Sequence, residues 1–392
     1  MERKSFIKGL AIGVIVTVMV VFAGGFLFLF SQTKNGMNKE DKIRTIEAYL
    51  NKFYVDEIDS NKLEEGMYSG MVESLGDPYT VYMSKTTLEE FESDNEGSFG
   101  GIGIEALPDK IYGGLRVVNT IEGYSAYRAG ILQNDLIIKV NGEDVTSLSS
   151  DAIISKIKGE EGTTVNITIY RENFKEELNF DIVREIVQVS SIKYSMKDEN
   201  ICYIKMTQFR SNTYDQFKKA YDELKAQNMK GLIIDLRDNP GGLLNSVEEI
   251  ADMLVPEGTM VYTIDKAGNR EDYKSDANSI DIPLCLIVNG NSASASEIMA
   301  AAVQDMKVGK LVGTQTFGKG VVQGLFHLPD DTGLKITIQK YYTPNGICIQ
   351  GEGITPDYIV ELPEETREMM SLPEELDTQL QKAIEVVSSE LN

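Results

Sequence analysis

Hydrophobic residues are spread unevenly along the chain, and the first dense group is an uncharged run at residues 9–30. A helix of about 20 apolar residues crosses a bilayer, so this run predicts a membrane-spanning segment. Three basic residues within residues 2–8 predict a cytoplasmic N-terminus, with the rest of the chain outside. A cleavable signal peptide is the alternative. Because the run is long and ends without a small-residue cleavage pattern, an uncleaved anchor is favoured.

Two amphipathic stripes follow a polar linker at residues 31–38 and predict helices within residues 39–93. The sequence at residues 76–78, Gly-Asp-Pro, predicts the end of the second helix. Helices of this length bury little apolar surface alone, so we expect them to pack on a second copy of the chain or on its own body. The first stripe consists of Ile43, Ile46, Tyr49, Leu50 and Phe53, and the second of Leu63, Met67, Met71 and Leu75.

The pattern changes twice more along the chain. Residues 97–186 alternate glycines with short β-branched runs and contain one short predicted helix, Ser150–Ile157, which indicates a small, mostly β domain. Residues 189–362 alternate strand and helix patterns, which indicates an α/β layer. The predicted parts are a cytoplasmic stub, anchor and linker at 1–37, a helical region at 38–96, the β domain at 97–186, the α/β core at 187–363 and a helical tail at 364–392.

Composition narrows the function classes. Apolar residues make up 42% of the 392, so a core can form, while the net charge of −23 argues against binding nucleic acid or an acidic lipid surface. The three cysteines lie in apolar stretches that match neither a zinc site nor a disulfide framework, and we expect them in the core. The single histidine excludes most metal-dependent hydrolases. We therefore expect no metal ion and no cofactor.

The segment GGIGIE at residues 100–105 places glycine N–H groups directly before a predicted strand. Such a loop binds a terminal carboxylate, and the strand pairs with an extended peptide. A dinucleotide-binding loop is the alternative, but there the glycines open a helix. With the later segments AGI, ND and IIKVNG, this order resembles a PDZ domain of the bacterial, circularly permuted kind. The resemblance implies that substrate C-termini bind at Gly101, Ile102, Gly103 and Ile104.

A strand at residues 284–289 leads through a turn of small residues into a helix that begins near residues 294–296. A serine at this corner is exposed, and the unpaired N–H groups that open the helix suit a developing oxyanion. Capping serines in an ordinary turn are the alternative. The chemistry alone does not choose between Ser292, Ser294 and Ser296 as a nucleophile.

A serine nucleophile needs a base, and the segment GTQTFGKGVVQ offers Lys319 between two glycines. The pKa of a free lysine is about 10.4, so Lys319 acts as a base near neutral pH only where burial lowers that pKa. Gln323 is predicted on the same strand face and could orient the amine. A surface lysine in a turn is the alternative for Lys319. His327 is the rival base, although its place at a strand end favours a structural role.

A third segment, DLRDNPGG, ends a predicted strand in a glycine turn and lacks the lysine of a phosphate-binding loop. With NGNSASASE, TFGKGVVQ and YYTPNGICIQGEGITPD, it resembles the carboxyl-terminal processing peptidases, or tail-specific proteases, over residues 40–365. The resemblance implies an α/β protease core plus a mostly β PDZ domain that binds protein or peptide substrates by their C-termini. The implied site residues are the nucleophile Ser294, the general base Lys319, its support Gln323, the oxyanion donors Ala295 and Gly241 or Gly242, and the auxiliary residues Glu297 and Asp305.

Two other function classes stay open. A non-catalytic PDZ adaptor on a degenerate protease body would leave Ser294 unlabelled by a fluorophosphonate. An esterase would turn over esters but cut no peptide, although the G-x-S-x-G turn of many esterases is absent. For the protease we expect a single-pass protein of a bacterial cell membrane, with its catalytic domain on the extracytoplasmic side. The helical segments at residues 39–93 and 364–391 predict a homodimer.

Overall fold

A computed structural model describes residues 37–173, 175–197, 200–366 and 372–391. The predicted membrane-spanning run at residues 9–30 lies outside these ranges. Among the described residues, none of the helices combines the length and the apolar character needed to span a bilayer. The described residues divide into two compact units, one ending at Met71 and the other beginning at Val72.

The helices and strands are numbered in chain order. The α-helices are α1 (Lys39–Phe53), α2 (Ser60–Glu73), α3 (Lys85–Glu96), α4 (Ser125–Ala129), α5 (Ser150–Ile157), α6 (Thr213–Ala226), α7 (Leu244–Leu254), α8 (Ala295–Asp305) and α9 (Thr378–Leu391), with 3-10 helices at Glu364–Thr366 and Glu374–Leu376. The strands are β1 (Val81–Met83), β2 (Ser98–Gly101), β3 (Ile104–Pro108), β4 (Leu115–Thr120), β5 (Leu136–Val140), β6 (Glu143–Asp144), β7 (Thr164–Arg171), β8 (Glu176–Val183), β9 (Glu185–Gln188), β10 (Ile192–Met196), β11 (Ile201–Met206), β12 (Gly231–Asp235), β13 (Gly258–Asp265), β14 (Arg270–Ser275), β15 (Leu284–Val288), β16 (Lys310–Gly313), β17 (Val321–His327), β18 (Gly333–Tyr342) and β19 (Tyr358–Ile359).

The middle of the chain forms an antiparallel sheet in the order β3-β4-β5-β7-β8, with β6 beside β5 and with β2 and β9 as a separate pair. Alternate residues of β7, namely Val165, Ile167 and Ile169, are fully buried, as expected where one face of a strand meets a core. Helix α5 coincides with the predicted short helix. The prediction of a mostly β domain is confirmed, and β3 lies at the edge of its sheet.

The core sheet has the order β10-β11-β12-β15-β16-β19. Its strands β11, β12, β15, β16 and β19 run parallel, and β10 is antiparallel to β11. Every residue of β12 and β15 is buried, because helices cover both faces of a parallel sheet. Helices α6, α7 and α8 contribute to one core. The opposite face is covered by the apolar side of α9, including Leu380, Ala383 and Val387.

A second sheet of the same unit contains β18 at its centre, paired with β1, β13 and β17, with β14 beyond β13. The helical prediction over residues 39–93 is wrong at β1, since these three residues pair with residues 333–335 instead. A strand this short shows no periodicity in the sequence, and its partner lies far along the chain. The cysteines are free, with Cys202 and Cys285 buried and Cys348 half-buried.

Candidate active site

Three turns that carry the sequence motifs follow the carboxyl ends of neighbouring parallel strands, β12, β15 and β16. Such ends meet at one edge of a parallel sheet, where ligands of α/β folds commonly bind. The turns contribute Gly242, Ser294 and Lys319 to a single cavity of about 250 Å³. The structure therefore brings together the three segments that the sequence singled out.

Ser294 is the N-cap residue of α8 and has φ 54° and ψ −113°. A positive φ strains a residue that carries a Cβ atom, at a cost of about 1–3 kcal/mol. Backbone contacts hold this conformation: the Ser294 N–H donates to Glu297 Oε2 at 2.9 Å, and its carbonyl accepts from the Ile298 N–H at 3.0 Å. The strained corner presents the half-buried Ser294 to the cavity.

The two rival serines are occupied elsewhere. Ser292 is fully buried, and its hydroxyl donates to the Leu236 carbonyl at 2.8 Å. Ser296 is also fully buried and donates to the Asn239 carbonyl at 2.9 Å. Both hydroxyls join the nucleophile turn to the glycine turn, so each has a structural role, and neither lines the cavity.

Lys319 lies in the segment before β17, with its Nζ 5.0 Å from the ring centroid of Tyr79. Burial lowers the pKa of Lys319, and the positive charge of Lys335 lowers it further, whereas the carboxylates of Glu297 and Asp77 raise it. Within the described ranges, Lys319 forms no ion pair. Its amine is therefore closer to the neutral form that a base requires than that of a free lysine.

Glu297 holds the nucleophile turn against the base turn. Its side chain is fully buried, and Oε2 accepts hydrogen bonds from the Ser294 and Lys319 N–H groups, both at 2.9 Å. Oε1 accepts from the Gly318 N–H at 2.7 Å and from the Thr316 hydroxyl at 2.6 Å. Four donors thus converge on one carboxylate, which makes Glu297 a positioning residue for both Ser294 and Lys319.

Tyr341 makes a second link between the same two turns. It is 1% exposed, and its hydroxyl contacts the Lys319 carbonyl and, at 3.2 Å, the Ser294 carbonyl. Burial raises the pKa of this phenol well above its usual range, so it remains a hydrogen-bond donor. Tyr341 was not among the residues predicted from the sequence, where its one signal is its place in the motif YYTPNGICIQ.

Two backbone N–H groups of the cavity wall are free to receive an oxyanion. Across the described segments, the amides of Ala295 and Gly242 donate to no acceptor. The Gly241 N–H, in contrast, donates to Asn239 Oδ1 at 2.9 Å. The prediction of Gly241 as a donor is therefore corrected, because its amide is already occupied, whereas Gly242 keeps the predicted role available.

Gln323 lines the cavity, but its Nε2 donates to the Thr337 hydroxyl at 3.4 Å. The predicted strand relation with Lys319 does not hold, because β17 begins at Val321 and a bulge separates Val322 from Gln323. Lys319 and Gln323 therefore meet through the cavity rather than along one strand face.

Two further predicted residues lie outside the cavity. Asp305 ends α8, where its Oδ2 accepts the Asn345 N–H at 3.0 Å, so it fixes a turn. The exposed His327 has its Nε2 2.7 Å from Glu92 Oε1. This pairing places the chain's histidine away from Ser294 and gives it a surface role.

The predicted peptide loop lines a separate cavity of about 270 Å³ between β3 and α5. Gly103 has φ 76°, and a Cβ there would come within 2.3 Å of Tyr124. Elsewhere in the described part of the chain, the Ile102 and Gly103 amides find no acceptor. Lys158 also lines the cavity, with its Nζ 4.2 Å from the Phe99 ring centroid. The cavity is lined by all four predicted residues, Gly101, Ile102, Gly103 and Ile104.

Three family models match the chain: peptidase family S41 at residues 200–360, the N-terminal domain of the activating protease CtpB at residues 30–87, and the PDZ domain at residues 116–171. A carboxy-terminal-processing protease of Bartonella bacilliformis is 34% identical over 89% of this chain and 83% of its own. A probable CtpA-like serine protease of Staphylococcus aureus is 33% identical over 93% and 74%. The solved photosystem II D1 C-terminal processing protease is 29% identical with a TM-score of 0.48, covering 82% of this chain and 88% of that one.

Proposed function

Because this chain belongs to peptidase family S41 and is a serine-type peptidase with a PDZ domain, we propose that it processes the C-terminal regions of proteins through a Ser294–Lys319 dyad. The observation that carries the dyad is the one cavity that contains Ser294, a lysine of lowered pKa and two free amide donors. The names of the curated relatives support the substrate class.

In the proposed reaction, the neutral Lys319 amine takes the Ser294 Oγ proton while Oγ attacks the peptide carbonyl carbon. The Ala295 and Gly242 N–H groups receive the oxyanion. The lysine then gives the proton to the leaving amine, and it activates the water that hydrolyses the acyl-enzyme. In the described part of the chain the Ser294 hydroxyl and the Lys319 amine do not hydrogen-bond to each other. We propose that the substrate brings them together, since such bonds commonly tighten on binding.

Gln323 is proposed to support the lysine. Its present contact with Thr337, at 3.4 Å, is long for a hydrogen bond and therefore weak. When substrate binds, the carboxamide turns from Thr337 towards the Lys319 amine and holds it near Ser294. A Gln323→Ala change is expected to lower kcat more than it raises KM.

The PDZ groove is proposed to hold the substrate tail. The edge strand β3 can pair with an extended peptide, while the free amides of Ile102 and Gly103 receive its terminal carboxylate. The Lys158 ammonium adds a positive charge to the same groove. Amidating the C-terminus of a peptide is expected to weaken its binding, which calorimetry on the full chain in detergent measures. Equal affinity for both forms would contradict tail recognition.

We also propose that the chain is anchored in a membrane and that it forms a homodimer. The apolar run at residues 9–30 supports a single-pass anchor in a bacterial cell membrane, with the catalytic unit outside. Washing membranes with alkaline carbonate should leave the protein in the membrane pellet, and its release into the supernatant would contradict the anchor.

Helix α1 exposes Ile46, Tyr49 and Phe53, which supports self-association. Sedimentation should give a dimer that Tyr49→Ala and Phe53→Ala together convert to a monomer.

The dyad is tested by peptide cleavage with the full chain in detergent. Ser294→Ala and Lys319→Ala are expected to abolish cleavage and His327→Ala to preserve it, since His327 lies at the surface beside Glu92. A fluorophosphonate should label the wild type but not Ser294→Ala. If His327→Ala were inactive and Lys319→Ala active, the dyad would be wrong. Ester turnover without peptide cleavage would instead favour an esterase.

A further inference from the structure

A second lysine lines the active-site cavity. Lys335 of β18 contributes to the same wall as Ser294 and Lys319. The described residues that form this wall include two lysines and no carboxylate, although the chain as a whole carries a net charge of −23. A cationic patch of this kind attracts anionic groups of a ligand.

The surroundings of Lys335 leave its charge without a partner. Its Nζ lies 5.0 Å from the Phe91 ring centroid, and in the described residues it forms no ion pair. Burial lowers the pKa of Lys335, and among the described residues no carboxylate raises it. A half-buried ammonium without a counter-charge is costly, and a bound carboxylate would remove that cost.

Helix α3 supplies a second donor beside this lysine. Asn95 follows Phe91 by one helical turn, on the same helix face, and also lines the cavity. Its carboxamide has no hydrogen-bond partner within the described ranges.

Of the acidic residues next to Asn95, two are engaged elsewhere and Glu96 does not line the cavity. Glu92 lies 2.7 Å from His327, and Asp94 lies 2.8 Å from Arg210. An ammonium and a free amide thus remain for an incoming anion.

We propose that Lys335 and Asn95 form a subsite that binds a carboxylate of the substrate next to the scissile bond. The subsite rests on the proposed function and deepens it, because it names an acidic group as a feature of preferred substrates. Lys335 donates a charge-assisted hydrogen bond and Asn95 a neutral one, with the Phe91 ring beneath the ammonium. The carboxylate belongs either to an acidic side chain or to the substrate's own C-terminus.

The test compares kcat/KM for matched peptides cut by the full chain in detergent. One series carries Glu or its neutral analogue Gln at successive positions around the cleaved bond, and the other carries a free or an amidated C-terminus. At one position, wild type should prefer Glu over Gln by about tenfold to a hundredfold, the effect of a hydrogen bond to a charged group. Lys335→Met should reduce this ratio to about one. A change in the pKa of Lys319 alters kcat/KM for the Glu and the Gln peptide by the same factor, because both are cut with the same base. The ratio of the two values is therefore unaffected by it.

The control is Lys340→Met, which removes an exposed lysine of β18 that does not line the cavity and should keep the wild-type ratio. Asn95→Leu changes a different element and should lower the ratio by itself. If the terminal carboxylate is the ligand, Lys335→Met lowers the preference for the free acid instead, and any preference due to the PDZ groove persists. Normal cleavage with unchanged ratios would overturn the subsite and leave the proposed function intact. No cleavage of any peptide by wild type would overturn both.

Discussion

At the scale of single residues, activity depends on the charge state of Lys319. The active form of a general base is the neutral one, so cleavage should rise with pH through the pKa of Lys319. Burial and the charge of Lys335 both lower that pKa below 10.5. Lys335→Met removes the charge but keeps an apolar chain of similar length. The pKa of Lys319 should therefore rise, and the ascending limb of kcat/KM for a neutral peptide should move to higher pH.

Lys340→Met again provides the comparison, since Lys340 does not line the cavity. Its pH profile should match that of the wild type. An ascending limb that stays in place in Lys335→Met would show that the two ammonium groups do not interact.

The buried charge of Lys319 should also reduce the stability of the folded protein. Because burial lowers its folded-state pKa, the unfolded chain binds the proton more tightly, and the cost of the buried charge is present below the folded pKa. That cost declines as pH rises through the folded pKa towards the unfolded value of 10.5. Lys319→Met should therefore be inactive but more stable than wild type at neutral pH, with the difference shrinking at high pH. Thermal unfolding at several pH values measures it, and a variant less stable at pH 7 would contradict the argument.

Glu297 should matter to both folding and activity. In Glu297→Gln the side-chain NH2 faces N–H donors that now have no acceptor, and each unsatisfied buried donor costs about 1–3 kcal/mol. We expect the free energy of unfolding to fall by about 2 kcal/mol or more, and kcat to fall because Ser294 and Lys319 lose their common anchor. Urea unfolding and kinetics measure this. Glu257→Gln removes an exposed carboxylate and should change neither quantity.

Residue identities were predictable from the sequence only where a motif carried them. The strand-to-helix corner offered three serines, of which the family resemblance selected Ser294, and the lysine between glycines indicated Lys319. The cavity contains both Ser294 and Lys319. Lys335 and Asn95 belong to β18 and α3, and no local pattern connects them to the corner. Their meeting depends on the packing of distant segments, which a local pattern does not contain.

At the scale of elements, the glycine turn after β12 packs directly on the nucleophile corner. Gly241 has φ 101°, and a Cβ there would lie 2.7 Å from the Ala293 carbonyl and 2.9 Å from the Ala295 N. Gly241→Ala should therefore displace the corner and the oxyanion donors. We expect kcat to fall by on the order of a hundredfold or more, as when an oxyanion donor is lost.

Gly268→Ala is the control that separates the effect of the Gly241 contact from the effect of backbone strain. Gly268 has φ 87° with open space around its Cβ position, so it should lose only about 1–2 kcal/mol of stability and keep its activity. If Gly241→Ala lost no more activity than Gly268→Ala, the packing of the glycine turn would not position the corner.

Helix and strand patterns were recoverable where they were long or had clear ends. The predicted short helix α5 has its observed bounds. The short β1 and the bulge at Gln323 were not recoverable, because both arise from pairing with β18. A strand partner distant in sequence overrides local propensity.

At the scale of the whole molecule, a buried ion cluster links the C-terminal segment to the sheet edge that carries the site. The Arg237 guanidinium lies 2.6 Å from Asp235 at the end of β12 and 2.8 Å from Asp377 before α9. Asp377 also accepts the Leu380 N–H at 3.0 Å, and the Tyr203 hydroxyl donates to Asp235 at 2.6 Å. The apolar face of α9 is thereby held on the sheet, so it is not the surface through which we propose self-association.

Asp377→Ala tests whether this cluster holds the C-terminal segment in place. The change leaves a buried guanidinium with one carboxylate instead of two and removes a hydrogen bond at the start of α9. Breaking a buried pair in this way typically costs about 3–5 kcal/mol, whereas an exposed pair contributes about 0–1 kcal/mol. Glu385→Ala, which breaks the surface contact with Lys382, is the matched control. Urea unfolding should show a large loss of stability for Asp377→Ala and almost none for the control. Equal small losses would mean that the apolar contacts of α9, and not the ion cluster, fix the tail to the protease core.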